Sequence, residues 1–215
     1  APKMFGFYSE RFHTVEINYT FYRMPTEKLI AGWAAQAPAG FQYTLKAPKR
    51  ITHDRKLANC ADETAFFTTV AQQLGGALAT LLFQLPPTMK CDASRLSDFL
   101  ATLPRGIKAA FEFRHDSWLT DDVYQRLRDA GAALCIADFG DKTTPLVTTA
   151  PFGYFRLRDE GYQADDLARW ADTLAAQSGA WSEAFIYFKH EDEGKGPAFA
   201  AEFVTLLKER GLTVA

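Results

Sequence analysis

Hydrophobic and polar positions follow two different periods along the chain. Short segments rich in β-branched and aromatic residues are each followed by turn residues, which is the pattern of β-strands. Between them the apolar residues recur every three to four positions, which is typical of amphipathic helices. The first pattern predicts strands over 14–22, 41–47, 77–85, 108–114, 132–138, 153–158 and 184–190.

The second pattern predicts six helices that alternate with these strands. Asp92 and Thr120 precede two of them as N-caps, and Gly75 and Gly131 follow two of them as stop signals. The threonine- and proline-rich stretch 139–151 breaks the alternation and is predicted to be a loop. The predicted helices cover 27–37, 62–74, 94–103, 121–130, 165–177 and 198–210.

Alternating strands and helices predict a parallel sheet covered by helices. The 215 residues contain no linker or repeat, so one domain over 1–215 is expected. An open doubly wound sheet and a TIM-type (β/α) barrel with seven visible strands both fit the order of elements. Central strands of an open sheet are apolar on both faces, whereas barrel strands carry polar side chains at their C-terminal ends. The polar ends seen here favour the barrel.

The segment FEFRHDSW (111–118) shows this two-faced character most clearly. Side chains alternate faces along a strand, so Glu112 and Arg114 share one face while Phe111 and Phe113 share the other. We expect the phenylalanines to pack against helices and the charged pair to line a polar mouth. The residues assigned to this mouth are Glu16, Asn18, Lys46, Gln84, Glu112, Arg114, Asp138, Arg156, Arg158 and Lys189.

Glu16, Glu112 and Asp138 are the predicted catalytic residues. Carboxylates in different environments can supply a general acid and a general base, and we assign proton exchange to Glu112 and Glu16, with Asp138 assisting. The alternative is that these carboxylates form ion pairs with neighbouring lysine and arginine side chains and only hold the fold together.

Basic side chains at the same strand ends predict an anionic ligand, because arginine forks suit phosphate and carboxylate oxygens. His53 is a further candidate, and Tyr22 is a candidate for the wall of the pocket. The predicted ligand-binding residues are Asn18, Lys46, Gln84, Arg114, His115, Trp118, Arg156 and Arg158.

Composition limits the function classes. A net charge of −2 gives no global argument for nucleic acid or an anionic membrane, although a local basic site stays open. No run of about 18 apolar residues is present, so no membrane span is expected. Cys60, Cys91 and Cys135 match no metal spacing and suggest thiols in a reducing compartment, so the cytoplasm is expected.

No cofactor is expected, but a divalent metal remains an open alternative. His115, His190 and Glu191, with the three carboxylates, offer nitrogen and oxygen ligands, yet no H-x-x-x-H or H-E-x-x-H spacing supports them. The nucleotide-binding G-x-G-x-x-G, the P-loop and the G-x-S-x-G motif are absent from the sequence.

Several of these segments together resemble the YecE-like family, a domain of unknown function (DUF72). The resemblance rests on FHTVEINYTFYRMPT, FQYTLKAPKRITH, LLFQLPPTMK, AAFEFRHDSW and YFKHEDEGKGPAFA, which occur in the family's order along nearly the whole chain. It implies a TIM-type barrel and carries no assigned activity. Family members usually open with a Gly- and Trp-rich strand that this chain lacks. Strands 14–22 and 184–190 then have open edges, and an exposed edge favours self-association. We expect the gap to be closed by residues outside this sequence, by another chain, or by direct pairing of these two strands.

These observations predict a TIM-barrel enzyme that performs acid/base, hydrolytic chemistry on a polar anionic substrate. A phosphorylated sugar or a nucleotide-like compound would fit. A divalent-metal phosphodiesterase or endonuclease-like barrel is the first alternative. A non-catalytic anion-binding module with a structural charge network is the second.

Overall fold

The computed structural model describes residues 2–139, 141–189 and 194–214, with side chains from residue 5 onward. The chain divides into two compact units, Ala1–Ala132 and Ala133–Ala215. Within each unit, parallel strands follow one another in chain order with helices between them. This is the predicted α/β, TIM-type fold class, and that prediction is confirmed. The prediction of a single domain stays a prediction.

The first unit contains four parallel strands, each paired with the next. The strands are β1 (Thr14–Ile17), β2 (Gln42–Lys46), β3 (Leu78–Gln84) and β4 (Ala109–Glu112). The helices are α1 (Pro2–Ser9), α2 (Tyr19–Tyr22), α3 (Glu27–Gln36), α4 (Ala61–Gln72), α5 (Ala93–Leu100) and α6 (Asp121–Ala130).

The described residues of the second unit form three parallel strands and two α-helices. In chain order they are β5 (Ala133–Asp138), β6 (Phe152–Leu157), α7 (Ala164–Ala176), β7 (Glu183–Phe188) and α8 (Lys195–Glu209). The predicted loop over 139–151 is confirmed for its described residues, which form no helix. Among the described helices, none is long and apolar enough to cross a membrane.

Strand register in the first unit separates an apolar face from a polar one. Glu16 pairs with Thr44, Thr44 pairs with Thr80, and Gln84, four positions after Thr80, pairs with Glu112, so these side chains share one face. On the other face the Phe83 and Phe111 rings stack at 5.2 Å, and Phe99 of α5 packs edge-on against Phe83. The half of the FEFRHDSW prediction that concerns its phenylalanines is confirmed, because Phe111 packs on the helix side against Phe99.

The predicted caps explain where two helices begin and end. Asp92 accepts a hydrogen bond from the Arg95 backbone N–H and starts α5, as expected for an N-cap. Gly131 ends α6 in a left-handed conformation with φ +64°, which a residue with a side chain adopts at a cost. Thr120 occupies the N-cap position of α6 without a side-chain hydrogen bond to the helix.

The strand predicted over 14–22 is correct in its first half and wrong in its second half. It ends at Ile17, and residues Tyr19–Tyr22 form the short helix α2. The cause is Thr20, whose hydroxyl donates to the backbone carbonyls of Lys46 at 2.6 Å and Ile17 at 3.2 Å. These bonds turn the chain back over β2, which the β-prone composition of NYTFY does not reveal.

Candidate functional site

The carboxyl ends of β1–β4 carry a connected set of polar side chains. The Glu112 carboxylate is 0% exposed, and its Oε1 accepts hydrogen bonds from Gln84 Nε2 at 2.9 Å and Arg114 Nε at 2.8 Å. Arg114 forms an ion pair with Glu112 while 30% of its own side chain stays exposed. Three predicted site residues therefore meet as one group. The buried carboxylate orients a guanidinium that reaches solvent.

Glu16 and Lys46 lie on the neighbouring strands and are half-buried. Asn18 Nδ2 donates to Glu16 Oε1 at 3.2 Å, so these two predicted residues also meet. Lys46 Nζ lies 4.2 Å from the centre of the Phe21 ring, within the range of a cation–π contact. The Phe21 ring of α2 thus stabilises the positive charge of Lys46 at the carboxyl edge of the sheet.

His53 lies beside these cations, on a turn that the sequence did not predict. Residues Arg50–Asp54 form one π-helical turn, a geometry that is frequent at functional sites. The imidazole packs edge-on against Phe21 at 4.9 Å, and its Nδ1 lies 2.9 Å from Thr52 Oγ1. Burial lowers the pKa of His53, and the positive charges of Lys46, Arg114 and Lys49 lower it further, while Asp54 opposes them.

The segment that follows His53 is strained. Lys56, Leu57 and Asn59 have φ values of 49°, 65° and 50°, in the left-handed region that non-glycine residues rarely adopt. Each such residue costs of order 1 kcal/mol or more, and strained residues cluster at functional sites. The Leu57 side chain is buried, and its backbone N–H bonds to the Ile51 carbonyl at 3.0 Å, which ties this segment to the turn that carries His53.

Trp118, a predicted ligand-binding residue, has a structural role instead, and the ligand-binding role of His115 stays a prediction. Trp118 is 0% exposed, stacks on Phe113 at 4.8 Å and donates from Nε1 to the Met89 carbonyl at 2.8 Å. Contrary to the prediction, it belongs to the core, because its short 3₁₀ turn aims the ring at the helix side. His115 uses Nδ1 to accept from the Ser117 backbone N–H at 3.2 Å, which caps that same turn.

Asp138, the third predicted catalytic carboxylate, lies in the second unit, where three neutral side chains donate hydrogen bonds to it. Its Oδ1 accepts from Thr143 Oγ1 at 2.8 Å, and its Oδ2 accepts from Tyr162 OH at 2.7 Å and Trp170 Nε1 at 2.9 Å. Burial and this carboxylate raise the pKa of the Tyr162 hydroxyl above its ordinary value, so the phenol stays a donor.

The register of β5 and β6 corrects the predicted common face of Asp138 and the arginines. Ala137 pairs with Arg156, whereas Asp138 pairs with Leu157, so Asp138 points to the opposite face from Arg156. Arg156 is buried, and Tyr187 is its partner on β7. Arg158 is half-buried, with its guanidinium 5.9 Å from the centre of the Phe139 ring. The predicted meeting of these arginines with Glu112 stays a prediction.

The metal alternative gains no ligand set from the described residues. Across 2–139, 141–189 and 194–214, His, Cys, Asp and Glu side chains nowhere form a group of three or more that could hold a metal ion. The candidate ligands His190 and Glu191 lie outside the described residues. Lys189, assigned to the mouth, forms an ion pair with Glu160.

Sequence reasoning missed two aromatic side chains at the site. Phe21 contacts both Lys46 and His53, and Tyr19 is half exposed beside it. Both were assigned to a strand. The available signal was the Asn18–Thr20 pair, since asparagine and threonine bond to local backbone groups and favour turns over strands.

Comparisons with known proteins agree with this architecture. The chain is 27% identical over 135 residues to the UPF0759 protein YunF of Bacillus subtilis (strain 168), a match that covers 59% of the chain. The matched stretch spans 48% of that relative, about half its length.

Two solved structures have the same fold. A DUF72 family protein from Enterococcus faecalis V583 superposes with a TM-score of 0.79 at 17% identity, covering 94% of this chain and 86% of that one. A DUF72 family protein from Thermotoga maritima MSB8 superposes with a TM-score of 0.79 at 22% identity, covering 96% and 90%. The model of the family described as "Protein of unknown function DUF72" matches residues 1–214, and the chain therefore belongs to that family.

Proposed function

We propose that this protein binds a small anionic molecule at the carboxyl ends of β1–β4 and performs acid/base, hydrolytic chemistry on it. One observation carries the proposal: Arg114, bonded to the fully buried Glu112, keeps 30% of its side chain exposed, and it lies with Lys46 and Lys49 around the same half-buried imidazole, His53. Burial is the main cause of the lowered pKa of His53, and the three cations lower it further while Asp54 opposes them. A cluster of cations that reaches solvent favours an anion as its ligand.

The contacts of Glu112 and Glu16 indicate different roles for these two carboxylates. Glu112 is fully buried between two donors, which suits the positioning of Arg114. Glu16 is half-buried, so its carboxylate is more accessible than that of Glu112 and better placed to exchange a proton with a ligand. Its geometry supports the general acid/base role, with Lys46 and Arg114 holding the negative charge.

The binding half of the proposal is tested by titrating sulfate and inorganic phosphate into the protein by calorimetry. Lys46→Met and Arg114→Met each remove one cation, and we expect each to weaken binding about tenfold or more, as loss of a charge-assisted hydrogen bond does. Lys28→Met and Arg105→Met are the matched controls, since both side chains are exposed and neither lowers the pKa of His53. Equal losses in the controls, or no binding by the unaltered protein, would contradict the proposal.

The catalytic half is tested with a panel of phosphate monoesters, phosphate diesters and sugar-acid esters. For any ester that is turned over, Glu16→Gln should lower kcat about 100-fold or more while the affinity for sulfate is kept, because general acid/base groups contribute about 10²–10⁴. Glu27→Gln, an exposed carboxylate of α3, is the control. Unchanged kcat in Glu16→Gln would remove Glu16 from the mechanism.

A non-catalytic anion-binding module is the second candidate, and the complete burial of Glu112 favours it. A carboxylate that only orients Arg114 needs no access to a substrate. This candidate predicts sulfate binding that depends on Lys46 and Arg114 together with no turnover of any ester in the panel.

A further inference from the structure

Helix α2 places an aromatic surface next to the cationic site. Tyr22 is 82% exposed and Tyr19 is 49% exposed, and residues three apart on a helix lie on the same side. Between them Phe21 is half-buried. We call Tyr19, Phe21 and Tyr22 the α2 ledge.

The α2 ledge is held firmly in spite of its exposure. Thr20 is fully buried, and its hydroxyl bonds to the carbonyls of Lys46 and Ile17. Backbone bonds from Phe21 to Asn18 at 3.1 Å and from Arg23 to Tyr19 at 3.2 Å close the turn. Aromatic side chains on a fixed turn lose little conformational entropy when a ligand packs on them.

Phe21 joins the ledge to the charges. Its ring lies 4.2 Å from Lys46 Nζ, 4.9 Å from the His53 ring and 5.1 Å from the Tyr22 ring, which stands at 87° to it. Phe21 therefore connects the Lys46 cation to the exposed Tyr22 ring through direct contacts with both. If Lys46 binds the acid group of a small ligand, the remainder of that ligand would lie over the Phe21 and Tyr22 rings.

We propose that the ligand is a small anion bearing a flat aromatic or heteroaromatic ring, with its acid group at Lys46 and Arg114 and its ring stacked on Tyr22. This inference rests on the proposed function and specifies the substrate class of the same site. Offset stacking on an aromatic face suits any flat ring. A sugar needs a partner for each hydroxyl, and the ledge itself offers only the two phenol groups.

Four probes distinguish the contribution of the acid group to affinity from that of the ring: inorganic phosphate, glucose 6-phosphate, phenyl phosphate and phenol. By calorimetry, phenyl phosphate should bind about 5- to 150-fold more tightly than inorganic phosphate, the range that stacking of one ring gives. Glucose 6-phosphate should show less than half of that gain. Phenol alone should bind only weakly.

Variants of Tyr22 connect that gain to the ledge. Tyr22→Ala should abolish the advantage of phenyl phosphate and leave the affinity for inorganic phosphate unchanged. Tyr22→Phe should keep it, because the ring face remains. Phe66→Ala, which removes another exposed aromatic ring on α4, is the control and should change neither affinity. An unchanged melting temperature checks that each variant folds.

The outcomes separate this inference from the proposed function. If inorganic phosphate binds but phenyl phosphate gains nothing, or if glucose 6-phosphate gains as much, the aromatic substrate class is overturned and the anion site stands. If no phosphate compound binds, both are overturned. If the unaltered protein dimerises in sedimentation and Tyr22→Ala is monomeric, the ledge is an interface between copies and the inference is overturned.

Discussion

Glu112 in the first unit and Asp138 in the second have the same appearance in sequence and different environments in the structure. Each closes an apolar strand, and each is buried. Glu112 accepts hydrogen bonds from Arg114 and Gln84, whereas Asp138 accepts from the neutral donors Thr143, Tyr162 and Trp170. One carboxylate orients a cation that reaches solvent, and the other ties a loop and a helix to a strand.

The difference arises from strand parity. Glu112 pairs with Gln84 on the polar face of the first unit, and Arg114 follows two positions later on the same face. Asp138 pairs with Leu157, one position beyond the Ala137–Arg156 pair, so it faces away from the arginine. A carboxylate at a strand end thus indicates a functional site only once its register is known.

The largest effect is expected for Asp138→Ala. The substitution leaves the buried Tyr162 hydroxyl and Trp170 N–H without this acceptor, and each unsatisfied donor costs about 1–3 kcal/mol. We expect the free energy of unfolding in urea to fall by about 4 kcal/mol. Asp138→Asn keeps one oxygen and should lose about half as much. A loss within about 0.5 kcal/mol, typical of surface substitutions, would show that Asp138 is not a structural tie.

A smaller loss is expected for Glu112→Gln. The amide keeps the shape but removes the charge opposite Arg114, and breaking a buried pair from one side costs about 3 kcal/mol. The pKa of His53, followed by NMR, should fall further, because Lys46 and Arg114 then act on it with less compensation. Glu63→Gln, which breaks an ion pair at the exposed side chain of Arg50, is the control and should leave the pKa nearly unchanged. A rise in that pKa would contradict the proposed field.

The third prediction concerns pH and anion binding. A bound anion favours the imidazolium form, so sulfate affinity should rise severalfold as pH falls through the lowered pKa of His53. Sulfate suits this test because its charge stays constant in this range. His53→Gln should remove the pH dependence and keep the binding. A flat profile in the unaltered protein would place His53 outside the anion site.

The same histidine affects stability with a defined sign. Its pKa in the folded state lies below the ordinary value of 6.5, so the unfolded chain binds the proton more readily. The contribution of His53 to stability is full above pH 6.5 and is lost as pH falls through the folded-state pKa. Urea unfolding should show this loss in the unaltered protein, and added sulfate should offset it.

The smallest effect is expected for Thr80→Val. Thr80 is fully buried on β3, and its hydroxyl oxygen has no hydrogen-bond partner among the described residues. Valine has the same shape without the polar atom, so the free energy of unfolding should rise by about 0.5–1 kcal/mol. Thr68→Val, whose hydroxyl donates to the Ala65 carbonyl, is the matched control and should not stabilise. A loss in Thr80→Val would indicate that this hydroxyl has a role.

The fold could be predicted from the sequence because its signals are local. Apolar periodicity identified each strand and most helices, and Asp92 and Gly131 marked a helix start and a helix end. Alternation along FEFRHDSW assigned Glu112 and Arg114 to one face before any contact was known. These features depend on a few consecutive residues and on backbone sterics.

Only the tertiary structure decided which side chains belong to the site. Trp118 lies in the core because its ring stacks on Phe113 and its Nε1–H donates to the Met89 carbonyl. Phe21 lies at the candidate site because the Thr20 hydroxyl donates to the Lys46 carbonyl of β2, and β1 therefore ends at Ile17. By itself the sequence determined the strand order and the polar strand ends. Register and long-range hydrogen bonds, which connect residues far apart in the chain, determined which of those polar groups lie at the proposed anion site and which face a helix.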